Sequence, residues 1–298
     1  MNNLNRVISE YKPYKITKMG NSTIISSTSG NYVLKKENKE LYTLFNYLNN
    51  RGFNNFPSLI KNFRDKENLF EYVEDEKIFD EQKLIDLAHT IASLHNKTVY
   101  FKNVSKDNYK EIYEQIDNNI KYLSSYFQSI FLKAISIEYQ SPSDYLFCRN
   151  YYKIDSSLKF CKDELDSFYE IIKDKDTARV AVVHNNIKMD HFIENKDGKY
   201  LISWDNYKID SPIFDIINLY HNEYLNYDFS AFLKEYLECF PLLEEEKKLL
   251  FIMISLPLKV IPTEGEINKT VNMHNMITYL YKTEKLIKPY YENNEDEN

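Results

Sequence analysis

The spacing of apolar residues in the first quarter of the chain predicts a small β-sheet with one packed helix. Turn signals around Gly20 and Gly30 separate short runs of strand-forming residues. Strands are predicted at 14–19, 22–27, 32–36, 58–63 and 68–73. Between the third and fourth strands, apolar residues recur at helical spacing, which predicts a helix over 38–50. Its apolar stripe consists of Leu41, Leu44, Phe45 and Leu48.

The remaining pattern predicts helices, with one strand-rich interruption. Helical spacing covers 84–95, 109–126, 158–172, 229–240, 242–257 and 267–288, and Pro212 opens a helix that includes Asp215. The interruption starts with an apolar run at 180–183 that predicts a buried strand. Two short strands follow at 192–194 and 199–203, joined by Asp197-Gly198, a favoured hairpin dipeptide. The pattern as a whole predicts an α+β fold.

Composition narrows the class of protein. Hydrophobic residues make up 43% of the 298 residues, enough for one large core or two modest ones, and the net charge is −7. This charge argues against a nucleic-acid partner, because phosphate binding needs a basic face. The three cysteines, Cys148, Cys161 and Cys239, form no C-x-x-C pair, which indicates unpaired thiols in a reducing compartment. Residues 1–14 lack the apolar core of a signal peptide, and no run is long enough to span a membrane. We therefore expect a cytoplasmic protein without a membrane partner.

Polar residues in the 180–220 segment occur in a specific frame: H-N-N-x4-H from His184 to His191, then I-S-W-D ending at Asp205, then P-I-F-D ending at Asp215. This frame resembles the catalytic segment of the aminoglycoside phosphotransferase and choline kinase family, which reads H-[GN]-D-x4-N and then I-D-[WF]-[ED]. The resemblance implies a protein-kinase-like fold with two lobes, a small β-rich N-lobe and a larger, mainly helical C-lobe. It places the N-lobe at 1–75, a hinge at 71–75 and the C-lobe at 76–290. Residues 291–298 are predicted to be a disordered acidic tail.

Three positions of the frame depart from the family's chemistry. Asn186 stands at the position of the catalytic Asp, His191 at a metal-binding Asn, and Ser203 at a metal-binding Asp. An amide cannot accept a proton at neutral pH, serine is a poor magnesium ligand, and imidazole prefers softer metals. One nucleotide substitution is enough to change Asp to Asn, so drift explains Asn186 easily, but it explains the three departures together poorly.

Other family roles can be assigned to charged residues. The resemblance assigns the phosphate-gripping lysine to Lys35 and its helix partner to Glu40, and the alternatives are a solvated strand-end lysine and an exposed first-turn glutamate. Asp190 and Asp205 are candidate carboxylates for a displaced metal. In the family, the residues at His184 and Asp215 have structural roles in the catalytic loop.

Two other chemistries fit the residues poorly. A hydrolase built on His184 and Ser203 lacks a G-x-S-x-G elbow, and Ser203 is predicted to lie inside a strand. A zinc site on His184 and His191 lacks a third ligand at a suitable spacing.

We therefore expect a pseudokinase, impaired in phosphoryl transfer, that acts by binding or scaffolding a protein partner or small molecule. The alternative is an active ATP-dependent kinase for a choline-like or aminoglycoside-like hydroxyl, using Asp190 or Asp205. ATP and Mg²⁺ are the cofactors that the family uses, and the three substitutions make both doubtful here. The chain is rich in Tyr, Asn, Lys and Ile, which is typical of proteins from AT-rich genomes. In this general character it resembles the spore-coat branch of kinase-like proteins from low-GC spore-forming bacteria, and the resemblance implies a spore association.

Overall fold

The computed structural model describes residues 3–20, 22–36, 41–63, 67–260 and 263–292. The strands are β1 (Lys15–Met19), β2 (Ser22–Ser27), β3 (Gly30–Lys36), β4 (Leu59–Asn62), β5 (Glu67–Glu71), β6 (Tyr100–Asn103), β7 (Thr177–Val183), β8 (Phe192–Asn195), β9 (Gly198–Leu201) and β10 (Lys208–Asp210). The helices are α1 (Asn3–Tyr11), α2 (Leu41–Asn50), α3 (Asp80–Thr98), α4 (Lys106–Ile135), α5 (Pro142–Ile172), α6 (Ile213–Glu223), α7 (Phe229–Cys239), α8 (Glu244–Ser255), α9 (Glu266–Ile287) and α10 (Pro289–Glu292). Two short 3₁₀ helices cover Met189–His191 and Trp204–Asn206.

The chain forms two compact units. Unit 1 comprises Met1–Val99, Ala181–Asp210 and Glu238–Phe240. Unit 2 comprises Tyr100–Val180, Ser211–Leu237 and Pro241–Asn298. Unit 1 thus includes α3 and the segment 181–210 together with the N-terminal sheet, whereas the lobe boundary predicted from the resemblance lies at residue 75.

Unit 1 is built on a five-stranded antiparallel sheet with the order β1-β2-β3-β5-β4. Because side chains alternate along a strand, each strand contributes to both faces. One face packs against α1, and its core includes Val7, Ile25, Leu34 and Leu69. The other face carries Ile24, Val33 and Phe70, which are cross-strand neighbours in the register. The sheet therefore has one face that is covered by α1. The opposite face, with Ile24, Val33 and Phe70, is not part of that core and can contribute to a binding site.

An aromatic core on unit 1 surrounds Trp204, the only tryptophan of the chain. The Trp204 ring is 1% exposed, and its centroid lies 6.1 to 6.4 Å from the ring centroids of Phe45, Phe53 and Phe56. These contacts are near edge-to-face, the arrangement that aromatic quadrupoles favour. Trp204 Nε1 donates a hydrogen bond of 2.8 Å to the carbonyl of Leu201. This bond curls the chain into the second 3₁₀ helix directly after β9.

The prediction of a strand through Ser203 was wrong. β9 ends at Leu201, and the Ile202 amide donates to the His191 carbonyl and not to a strand partner. Ser203 then adopts a left-handed conformation with φ of 66°. The chain has to turn at this point, because Trp204 must enter the aromatic core.

Unit 2 is helical and centred on α5. α5 packs against α4, α8 and α9, and α6 and α9 also pack against α8. The start of α5 is defined by Ser141, whose hydroxyl accepts a hydrogen bond from the Asp144 amide, and by Pro142 in the first turn. Near the start of β7, the Arg179 guanidinium binds both carboxylate oxygens of Glu246 on α8. Among the described helices, none is both long enough and apolar enough to cross a membrane.

The small β-rich lobe and the larger helical part agree with the predicted fold class. The sequence interpretation missed α1, β6 and β10. It placed the start of the acidic tail at residue 291, whereas the helix α10 continues through Glu292, and residues 293–298 lie outside the described residues.

Candidate functional site

A cavity of about 460 Å³ lies within unit 1 on the sheet face opposite α1. Its walls are mainly apolar, and they come from the sheet, from α2 and from the 191–204 segment. The apolar side chains that line it include Ile24, Val33, Leu41, Phe45, Phe70, Ile193, Ile202 and Trp204. Residues 71–73, where β5 ends, form one border, and the charged or polar side chains in the lining include Lys35, His191 and Ser203. We call this space the unit-1 cavity.

Lys35 and Asp205 form an ion pair at the unit-1 cavity. Lys35 lies two residues after Val33 on β3, so both side chains point to the cavity face. Its ammonium donates to Asp205 Oδ2 at 2.7 Å, and the two side chains are 16% and 22% exposed. Glu40, the predicted helix partner of Lys35, lies outside the described residues. In the described structure, the lysine charge is therefore balanced by Asp205, across 170 residues of sequence.

The loop after β7 is held by its own polar side chains. His184 is buried, and its Nε2 donates to the Ile202 carbonyl at 2.9 Å while the ring packs against Trp204. Asn185 has a positive φ of 55°, a conformation that Asn tolerates better than most residues, and its amide donates to the Asn206 carbonyl. These contacts join the loop to the segment that carries Trp204 and Asp205.

The three departing positions of the motif meet at one place in this loop. The side-chain amide of Asn186 donates to the Ser203 carbonyl at 3.3 Å, and His191 Nδ1 donates to the Asn186 carbonyl at 2.7 Å. A carbonyl oxygen only accepts, so the proton of the His191 ring lies on Nδ1. An amide, an imidazole and a hydroxyl thus occupy the positions that carboxylates and an amide have in the family.

These residues do not fit a magnesium ion. Mg²⁺ is held through carboxylate oxygens in near-octahedral geometry. Asp205 is paired with Lys35, and Asp190 is exposed on the first 3₁₀ helix and does not line the unit-1 cavity. Within the described ranges, no group of three or more His, Cys, Asp or Glu side chains is arranged to hold a metal ion. The site therefore offers a cation, Lys35, and an apolar slot, but it has no carboxylate at position 186 or 203 and no carboxylate set for a divalent metal.

Asp215 lies in unit 2, in the first turn of α6, where it is fully buried. Its charge contributes to the environment of Tyr236, because burial and then the negative charge of Asp215 raise the pKa of the Tyr236 hydroxyl well above its ordinary value. The role of Asp215 in bracing the loop stays a prediction.

Residues 74–76, which follow the border of the unit-1 cavity, are hydrogen-bonded to β8. The sequence did not reveal this contact. The Glu194 amide donates to Asp75 Oδ1 at 2.9 Å, the Glu76 amide donates to the Glu194 carbonyl at 2.9 Å, and the Asn195 side chain donates to the Glu74 carbonyl at 3.0 Å. These bonds fix the predicted hinge relative to the 191–204 segment. The sequence signal for these hydrogen bonds is the run of acidic and amide residues in both segments, Glu74-Asp75-Glu76 and Glu194-Asn195.

A partly exposed ionic cluster lies behind the same hairpin. Lys199 on β9 donates to Asp86 Oδ1 on α3 at 2.7 Å, and Glu194 is 3.7 Å from the same ammonium. Burial, and then the charge of Asp86, raise the pKa of Glu194. Burial acts to raise the pKa of Asp86 as well, but the hydrogen bond and charge of Lys199 more than offset it and lower that pKa. The cluster stabilises the hairpin that carries one wall of the site.

Comparisons with known proteins support the fold and not a particular activity. No protein-family model matches the sequence, and no curated protein sequence matches it. The structure is similar to that of an aminoglycoside phosphotransferase from Alicyclobacillus acidocaldarius, with a TM-score of 0.67 and 12% identity over 95% of this chain and 96% of that one. It is also similar to the AMP-bound complex of a spectinomycin phosphotransferase, with a TM-score of 0.55 and 10% identity over 94% and 97% of the two chains. The chain therefore has the kinase-like fold of the aminoglycoside phosphotransferases, as its motif frame predicted.

Proposed function

We propose that this protein is a pseudokinase that binds an adenine-type ligand without a divalent metal and does not transfer its phosphate. The observation that carries the proposal is the cluster of Asn186, His191 and Ser203, which contains no carboxylate and lies next to an Asp205 that is paired with Lys35. Binding, and not turnover, is the activity that such a site supports best.

The chemical reason is that phosphoryl transfer depends on charge neutralisation and on orientation of the acceptor hydroxyl. Asn186 can donate or accept a hydrogen bond, but it cannot remove a proton, and loss of a general base typically lowers a rate by about 10²–10⁴. The loss of the carboxylate at Ser203 also removes a metal ligand. The missing base at Asn186 and the missing metal ligand at Ser203 both act on phosphoryl transfer. Together they should leave very little of this activity.

The ligand class follows from the shape and polarity of the unit-1 cavity. Its volume of about 460 Å³ is in the usual range for small-molecule sites. Apolar side chains such as Val33 and Phe70 would contact the faces of a flat ring. The Glu71 and Tyr72 amides at the border already donate to the Ser58 and Asn31 carbonyls, so hydrogen bonds to the edge of the ring would fall to the backbone of Val73. Lys35 provides a positive charge for a phosphate. One structurally similar phosphotransferase is described as an AMP-bound complex, which supports a nucleotide for this fold.

The proposal is tested by measuring ligand affinity with and without magnesium. We expect adenosine and ATP to stabilise the protein in thermal-shift and calorimetric titrations, with the same affinity in EDTA as in excess Mg²⁺. A ligand at 100 times its dissociation constant adds about 2.7 kcal/mol of stability, which is readily detected. The variant with Asn186→Asp, His191→Asn and Ser203→Asp should gain a magnesium-dependent increase in ATP affinity. Absence of adenosine binding to the wild type would refute the proposed ligand class.

The alternative is an active small-molecule kinase that uses Asp190, Asp205 or both to hold the metal. The observation in its favour is that a carboxylate lies 2.7 Å from the lysine of the same cavity. It requires Asp205 to leave Lys35 and bind Mg²⁺. Magnesium-dependent transfer to a choline-like or aminoglycoside-like hydroxyl, lost in Asp205→Ala, would establish this alternative and exclude the pseudokinase. A protein partner, a cytoplasmic location and a spore association stay predictions.

A further inference from the structure

A cleft of about 300 Å³ lies in unit 1 between α2 and the segment 54–59, which leads into β4. We call it the amide cleft, after Asn46, Asn49 and Asn54 in its lining. Of its described lining residues, only Phe45 also lines the unit-1 cavity. Nothing in the proposed function uses the amide cleft.

The polar groups of the amide cleft are accessible and uncharged. Asn46 and Asn49 lie about one turn apart on α2, Asn54 and Ser58 come from the other wall, and all four are exposed. More than a quarter of the residues of the chain are charged, but the described lining of this cleft contains no charged side chain. A charged ligand group would therefore meet no opposite charge in the lining, whereas a neutral polar group would meet several hydrogen-bonding partners.

The amides determine which neutral polar groups fit. Each asparagine side chain presents an acceptor oxygen and a donor NH₂ side by side, and a serine hydroxyl both donates and accepts. A ligand hydroxyl also does both, so neighbouring hydroxyls can bond an amide in both directions. An ionised carboxylate or phosphate only accepts, and an ammonium only donates. The lining therefore favours a ligand with several adjacent hydroxyl groups.

Tyr42 supplies an aromatic surface beside these amides. It is 52% exposed, lines the cleft, and lies four residues before Asn46 on α2, so the two side chains are neighbours on one helix face. Phe45 and Phe56, whose rings stack with centroids 4.4 Å apart, are nearly buried and form the base of the cleft. A tyrosine ring offers an apolar face to a ligand that also has polar edges. A sugar ring has such a composition, with C–H groups on its face and hydroxyls around its edge.

Hydrogen bonds hold both walls of the amide cleft in place. At the end of α2, the Gly52 amide donates to the Asn49 carbonyl at 2.9 Å. On the other wall, the Glu71 amide donates to the Ser58 carbonyl at 3.0 Å, and Asn55 exchanges hydrogen bonds of 2.9 and 2.8 Å with β9. A site that is already formed loses less conformational entropy when a ligand binds.

We propose that the amide cleft binds a neutral sugar, with the C–H face of the pyranose ring on Tyr42 and the hydroxyls bonded to Asn46, Asn49 and Asn54. Each amide–hydroxyl contact should contribute about 2- to 10-fold in affinity. The proposal rests on these side chains alone and does not depend on nucleotide binding in the unit-1 cavity.

The test measures binding of four neutral sugars to the full chain by saturation-transfer NMR titration. The probes are the methyl glycosides of glucose, galactose, mannose and N-acetylglucosamine. Because these molecules are small, we expect at least one to bind with a dissociation constant on the order of 1 mM. Cyclohexanol, a six-membered ring with one hydroxyl, should bind about ten-fold more weakly, since it forms fewer hydrogen bonds to the amides.

Location is tested with variants at exposed positions of α2, which should leave the fold intact. Asn46→Ala should weaken the best glycoside by about 2- to 10-fold, and Tyr42→Ala should also weaken it, whereas Tyr42→Phe keeps the ring and should bind within about two-fold of the wild type. Asn50→Ala is the matched control, because Asn50 is exposed on the same helix and lies outside the described lining.

Three results would overturn the proposal. The first is that none of the four glycosides binds the folded wild type at about 20 mM, well above the expected dissociation constant. The second is that cyclohexanol binds as tightly as the best glycoside, which would reduce the cleft to an apolar groove. The third is that Asn46→Ala binds the glycoside as tightly as Asn50→Ala does.

Discussion

The substitution Asp205→Asn separates the two candidate functions, because they predict opposite changes in ATP affinity. In the pseudokinase, Asp205 competes with the ligand phosphate for the Lys35 ammonium, 2.7 Å away. Removing its charge while keeping its shape should therefore tighten the binding of metal-free ATP. In an active kinase, Asp205 is a metal ligand, so the same change should weaken the binding of magnesium-ATP.

The size of the effect follows from the ion pair. A hydrogen bond to a charged group contributes about 1.5–3 kcal/mol, which corresponds to roughly 10- to 100-fold in affinity. Lys35 and Asp205 are 16% and 22% exposed, so solvent screens part of this energy. We therefore expect the lower end, about ten-fold tighter ATP binding in EDTA. Adenosine, which has no phosphate, should bind the variant and the wild type equally.

Isothermal titration of both ligands in EDTA and in excess Mg²⁺ measures these changes. Asp210→Asn is the matched control, because Asp210 is also ion-paired in unit 1, to Lys208 at 2.8 Å, but it does not line the unit-1 cavity. It removes the same net charge and should change ATP affinity little. Weaker ATP binding by Asp205→Asn in EDTA, with adenosine binding intact, would refute the competition between Asp205 and phosphate.

Three further predictions concern stability. Trp204→Ala should lower the free energy of unfolding by about 3–5 kcal/mol in urea denaturation followed by circular dichroism, and a loss below about 1 kcal/mol would contradict the aromatic core. Glu246→Gln should cost about 2–3 kcal/mol in the same assay, because it removes the negative charge opposite the Arg179 guanidinium, whose side chain is 13% exposed; no loss would show that the pair is not formed. Burial lowers the pKa of His221 below 6.5, so its contribution to stability is present above pH 6.5 and is lost as the pH falls through the lowered value. The melting temperature of His221→Gln should accordingly fall less than that of the wild type between pH 7.5 and 5.5, and equal falls would exclude this assignment.

The sequence predicted the fold because its strongest signals are local. The strands of the N-terminal sheet have alternating side chains and glycine turns, and the stripe of α2 is buried as its spacing predicts. Two of the three missed elements, β6 and β10, have weak local signals. β6 is exposed at every position and β10 has three residues, so neither carries an apolar pattern. The helix α1 did have a signal, since Leu4, Val7 and Tyr11 lie on one face.

The candidate site was predictable as a set of positions but not as a set of contacts. Motif spacing identified Asn186, His191 and Ser203, and the structure brings these three together. The pairing of Lys35 with Asp205 depends on how the sheet meets a segment 170 residues away, which no local pattern encodes.

The left-handed turn at Ser203 bears on how this protein could change over evolutionary time. Aspartate is among the residues that enter this backbone region with little penalty, so an acidic side chain could be installed there without rebuilding the loop. Under the proposed function, the backbone at Ser203 already has a conformation that suits a carboxylate ligand, and only the side chain is missing. Substitutions of single side chains would then be enough to place metal ligands on this loop.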